Sequence, residues 1–79
     1  MNRIRLFIDF LILEEEIEVY FRKEDILIES IIELMDLLSY SEIFTNDMMV
    51  FFESLDCLID KNKSIKELGL IDGDKLIIS

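Results

Sequence analysis

From Arg3 to Phe10 polar and apolar positions alternate: Ile4, Leu6, Ile8 and Phe10 fall on one side, Arg3, Arg5, Phe7 and Asp9 on the other. A period of two is that of a strand with one buried face. Alternation resumes from Glu16 to Phe21, where Ile17, Val19 and Phe21 oppose Glu16, Glu18 and Tyr20, so a hairpin is expected. Residues 11–15 reverse the chain without glycine, asparagine or proline, which points to a loop longer than two residues.

Between Asp25 and Tyr40 the period changes. Ile28, Ile31, Ile32, Met35 and Leu38 recur at the spacing that lines one helix face, with Glu29, Glu33 and Asp36 on the other. Asp25 stands where a side chain caps a helix, and where the dipole also favours an acid. Leu37 projects to the wrong side, so either the helix unwinds before it or Leu37 and Tyr40 offer a contact surface. Residues 41–47 read as a loop carrying a buried Ile43-Phe44 pair.

Met48 to Glu53 is expected as a third strand, with Val50 and Phe52 on one face and Met49 and Phe51 on the other. Apolar residues on both faces point to an interior strand or an exposed patch. Residues 54–56 form a turn, Cys57 to Ile59 a short fourth strand, and residues 60–63 a solvated loop. Ser64 with Glu67 three positions on is a capping box, opening a short helical turn that Gly69 ends in the left-handed conformation. Asp72-Gly73-Asp74 is a tight turn, and Leu76 and Ile78 alternate with Lys75 and Ile77 in a closing strand. One mixed sheet with a single helix on one face is the simplest packing of this order.

The capped turn, the run Leu68-Gly69-Leu70-Ile71-Asp72-Gly73-Asp74 and the closing strand resemble the C-terminal third of ubiquitin-like, β-grasp proteins. In length and element order the chain resembles small bacterial proteins of the YukD/EsaB type, which accompany type VII secretion systems. That resemblance implies one α+β ubiquitin-like domain over residues 1–79. It further implies a sheet of four to five strands in the order 2-1-5-3-4, and a cytoplasmic accessory or regulatory protein that contacts a component or regulator of the secretion machinery.

Composition narrows the alternatives. Apolar residues make up 52% of the 79, enough for a core, so the charged 33% reads as surface rather than disorder. Eighteen acidic against eight basic residues give a formal charge of −10, which repels phosphate backbones and anionic lipid. Nucleic acid is therefore not expected as a partner; an acidic inhibitor seated in a basic groove remains an alternative. A single cysteine, Cys57, fits a reducing compartment. No run of eighteen apolar residues exists and the N-terminal stretch lacks a cleavage site, so neither membrane insertion nor a cleaved signal is expected.

Catalytic chemistry is sparsely provided. Histidine, the commonest general base and metal ligand, is absent. Cys57 neighbours Asp56 rather than a cation and reads as a buried structural thiol. Glu29 and Glu33 read as a solvated helix stripe, Asp72-Gly73-Asp74 lacks the rest of a calcium loop, and Glu14-Glu15-Glu16 is a solvated loop. No enzyme activity, metal or cofactor is expected. Modifiers and sulfur carriers need a flexible tail ending in two glycines; Ile77-Ile78-Ser79 instead ends within a strand, which disfavours that class for the sequence as it stands.

Recognition remains. Once Ile4, Leu6, Ile8, Ile17, Val19, Phe21, Val50, Phe52, Leu76 and Ile78 face the helix, the opposite face carries Phe7, Tyr20, Met49, Phe51 and Ile77. In the strand order implied by the resemblance these form one apolar band beside Arg3, Arg5 and Lys75. A band of that size is expected to bind protein, either a foreign partner or a second copy.

Overall fold

The computed structural model describes residues 3–39, 48–53 and 57–79. Strand β1 (Arg3–Phe10) pairs antiparallel with β2 (Glu15–Arg22) over eight residues each, Arg3 opposite Arg22 and Phe10 opposite Glu15. A single 3₁₀ turn, Leu11–Leu13, joins them, and Glu14 closes it in the left-handed conformation at φ 51°, donating its N–H to the Leu11 carbonyl at 3.3 Å. Glutamate here performs a reversal that glycine usually performs.

Helix α1 spans Leu27–Leu37, shorter than the expected Asp25–Tyr40. Asp25 supplies no side-chain cap. Ile26 is the N-cap, and the orphan N–H groups of Leu27 and Ile28 donate to the carbonyls of Lys63 at 3.0 Å and Lys61 at 2.9 Å. The cap is tertiary. At the other end the helix runs through Leu37 and stops at Leu38 and Ser39, the latter at φ 63°. The helix therefore does not unwind before Leu37, whose side chain is 79% exposed; Tyr40 lies outside the described residues, as do Ile43-Phe44 and the 54–56 turn.

The buried helix face is also rotated from expectation. Leu27, Ile31 and Met35 are buried, with Ile28, Leu34 and Leu38 packed partly against them, whereas Ile32 is 36% exposed. Apolar residues outnumber polar ones along α1, so several stripes fit the spacing and contact with the sheet selects one.

Strands β3 (Val50–Phe52) and β4 (Cys57–Leu58) form a short antiparallel pair, and β5 (Asp74–Ile78) closes the sheet. Strand β5 runs parallel to β1, with Ile8 opposite Leu76, and antiparallel to β3, with Phe51 opposite Ile77. The order is β2-β1-β5-β3-β4, so the closing strand lies at the sheet centre, as the β-grasp resemblance implied. Ile4, Leu6, Ile8, Phe10, Val19, Phe21, Val50, Leu76 and Ile78 bury against the helix residues and against Ile65 and Leu70 of the connecting turn.

That turn is held as the capping box predicts. Glu67 N–H donates to Ser64 Oγ at 3.1 Å and Ser64 N–H to Glu67 Oε1 at 3.0 Å. The N–H donated by Ser64, and the Ser64 side chain with it, lower the Glu67 pKa below the usual carboxylate value. Gly73, at φ 90°, donates its N–H to the Arg5 carbonyl at 2.8 Å, while Asp72 Oδ1 accepts the Arg5 N–H at 2.9 Å. The turn thus clamps the start of β5 onto β1.

Candidate functional site

Ladder registers build the outer face row by row, because residues directly opposite each other in a sheet project to the same side. One row runs Glu16, Asp9, Ile77, Phe51 and Leu58; the next runs Glu18, Phe7 and Lys75, with Glu53 beyond; a third pairs Tyr20 with Arg5. Met49 flanks the first row, exchanging two 3.0 Å backbone hydrogen bonds with Ser79. Tyr20 is 59% and Met49 48% exposed, while Phe7, Phe51 and Ile77 are half-buried.

All five expected residues therefore lie on one face, but they do not form one band. Phe7 stands beside Lys75, and Lys75 Nζ lies 2.9 Å from Glu16 Oε1 and 3.5 Å from Glu53 Oε2. Its hydrogen bond to Glu16, opposed by desolvation and reinforced by the charges of Glu16 and Glu53, raises the Lys75 pKa above the usual lysine value. This ion bridge divides the apolar surface. On one side are Tyr20 and Phe7, with the Arg5 guanidinium 5.5 Å from the Phe7 ring centroid and Arg5 Nη1 3.7 Å from Glu18 Oε2. On the other are Ile77, Phe51, Leu58 and Met49.

Leu58 is the residue that sequence reasoning missed. It is 59% exposed and opposes Phe51 across the β3–β4 ladder. Alternation within two residues carries no phase, and its face follows only once that register is known. Cys57 corrects a second expectation: it is exposed, not buried, because it sits on the outermost strand of the sheet. Arg22 was also missed; it stands directly opposite Arg3 on the outer face, and neither makes an ion pair among the described residues.

Several of the described carboxylates have structural tasks or face solvent. Asp74 Oδ2 accepts the Ile71 N–H at 2.9 Å and Asp72 the Arg5 N–H, while Glu29, Glu33 and Asp36 are exposed. Among the described residues no group of acids and cysteine is arranged to hold a metal ion, and no helix is long and apolar enough to cross a membrane.

No family model and no curated protein matches the chain. Solved structures do. The N-terminal ubiquitin-like domain in the 4931431F19Rik protein superposes with a TM-score of 0.71 at 11% identity, over 99% of this chain and 74% of that one. The ubiquitin-like domain of Arabidopsis thaliana protein At2g32350 gives 0.68 at 12% identity, over 100% and 78%. The UBL domain of yeast Ddi1 gives 0.67 at 22% identity, over 99% and 88%. Likeness at these identities establishes a ubiquitin-like β-grasp fold.

Proposed function

We propose that the chain acts without catalysis, by protein contact, as a cytoplasmic accessory or regulatory protein of a bacterial type VII secretion system, and that its outer sheet face makes the contact. The observation that carries the contact is the row Ile77, Phe51 and Leu58 with Met49 beside it, apolar side chains on three adjacent strands. Such a cluster is a natural centre for an interface, with the Lys75, Glu16 and Glu53 bridge as its polar rim. The secretion assignment rests on the likeness of the Ser64–Ile78 segment and of the chain length to YukD/EsaB proteins.

The test mixes the purified chain with the cytosolic portions of the secretion machinery, its membrane ATPase first. Binding is expected, and Phe51→Glu is expected to weaken it roughly tenfold or more while circular dichroism stays unchanged. Undiminished binding by Phe51→Glu removes this face from the interaction. Failure to bind any component removes the secretion role.

A further inference from the structure

The two edges of the sheet are built differently. Strand β4 has two residues, whereas β2 has eight, pairs with β1 without a bulge at any position and contains no proline. A long regular edge presents unpaired backbone groups, and proteins usually blunt such an edge. Which groups face outward follows from Arg5. Its N–H donates to Asp72 and its carbonyl accepts from Gly73, so both point toward β5 and away from β2. Arg5 and Tyr20 therefore form a non-hydrogen-bonded pair, and by the alternation of an antiparallel ladder Glu16, Glu18 and Tyr20 aim both backbone groups off the edge and Arg22 its N–H, the Arg22 carbonyl accepting the Asp25 N–H at 3.1 Å.

We infer that β2 pairs with β2 of a second copy, antiparallel about a two-fold axis at Val19, making one continuous sheet from two chains. In that register Glu18 opposes the second copy's Tyr20, bringing both residues' outward backbone groups together, and Glu16 opposes its Arg22, whose N–H meets the Glu16 carbonyl. Val19 meets Val19, and Ile17 meets Phe21, on the helix side. Every opposed pair matches: acid against arginine, acid against tyrosine, apolar against apolar. A shift by two residues one way sets Glu18 against Glu18, and by two the other way shortens the ladder to residues 18–22. Charge and length thus select one register.

Two further features fit this occupant. Arg22, held opposite Arg3 without an ion pair among the described residues, gains a carboxylate in the second copy's Glu16, whose Oε1 also meets Lys75 of its own chain at 2.9 Å. On the helix side, a groove of mixed lining, with Val19, Phe21, Leu34 and Leu37 beside Arg22 and Glu33, runs along the same edge, and a second strand laid on β2 closes its open side over the 79% exposed Leu37. The interface is isologous, as a two-fold dimer requires. It shares Glu16 with the polar rim of the outer face but does not involve Phe51, so Phe51→Glu separates failure of the outer-face reading from failure of this one.

Light scattering coupled to size exclusion, in about 0.15 M salt where the Debye length of about 8 Å screens the net charge, is expected to show twice the monomer mass at high concentration. Phe51→Glu is expected to leave that mass unchanged. Arg22→Glu sets an acid against Glu16 of the second copy and is expected to give monomers, while replacing the like-charged Arg3–Arg22 pair within the fold, so its thermal melt should not fall. Glu16→Arg is expected to be monomeric for the converse reason, and an equimolar mixture of the two variants to recover the dimer mass. Tyr20→Pro removes one outward N–H, leaves the β1 ladder intact and is expected to give a folded monomer. A wild-type chain that stays monomeric to its solubility limit overturns the inference. So does a folded Arg22→Glu or Tyr20→Pro chain that dimerises as wild type does, or a mixture that stays monomeric.

Discussion

The two faces of the sheet are made by the same strands and differ in nearly everything else. Ile4, Leu6, Ile8, Val50, Leu76 and Ile78 face the helix and are at most 2% exposed. Their immediate sequence neighbours Arg5, Phe7, Lys75 and Ile77 face outward and engage in ion pairs, a cation–π contact or partial burial. Dry packing on one side holds the fold, because apolar burial is its dominant favourable term. The other side is left with exposed charges whose pairwise contribution is small. A face that contributes little to stability is free to carry recognition.

The largest effect that sharpens this contrast belongs to Leu76→Ala. Leu76 is fully buried on the central strand, opposite Ile8 on one side and Phe52 on the other. Truncation there leaves a cavity beneath α1 and is expected to cost about 2 to 5 kcal/mol, read from urea denaturation midpoints. A loss near zero would mean that the inner face is not what holds the chain together.

A middle effect comes from the capped turn, which presents Ile65 and Leu70 to the core while its own polar contacts lie at the surface. Ser64→Ala is expected to cost about 1 kcal/mol. It should also flatten the acid limb of the stability profile. Glu67 titrates below its ordinary value when folded, so its contribution is present above the ordinary carboxylate range and is lost as pH falls through the lowered value. Removing the serine hydroxyl should bring that limb closer to the unfolded behaviour of glutamate, which denaturation at several acidic pH values measures.

Legibility in the sequence followed how local each determinant is. Alternation over Arg3–Phe10, the Ser64–Glu67 box and the glycine turn at Gly73 involve neighbours within a few positions, and all three stand as read. The phase of the α1 stripe, its cap by Lys61 and Lys63 carbonyls and the face taken by Leu58 depend on partners far along the chain. The outer site shows the same division. Parity placed Phe7, Tyr20, Met49, Phe51 and Ile77 on one face, but only the β1–β5 register reveals Lys75 standing beside Phe7 and splitting the surface.

Lys75→Met tests the smallest term and the one most specific to the outer face. Its ammonium bridges Glu16 and Glu53 in the open, so removing it is expected to shift the denaturation midpoint only slightly at neutral pH. The sign at high pH is fixed by the raised Lys75 pKa. Its contribution is complete below the ordinary lysine value and is lost as pH rises through the raised one, so the wild-type chain should lose a small increment of alkaline stability that Lys75→Met does not. Methionine at this position also joins Phe7 to Ile77 in one apolar surface, which should raise binding of a hydrophobic dye. Were Lys75→Met instead to unfold the chain, the outer face would be structural, and the division of labour between the two sides of the sheet would not hold.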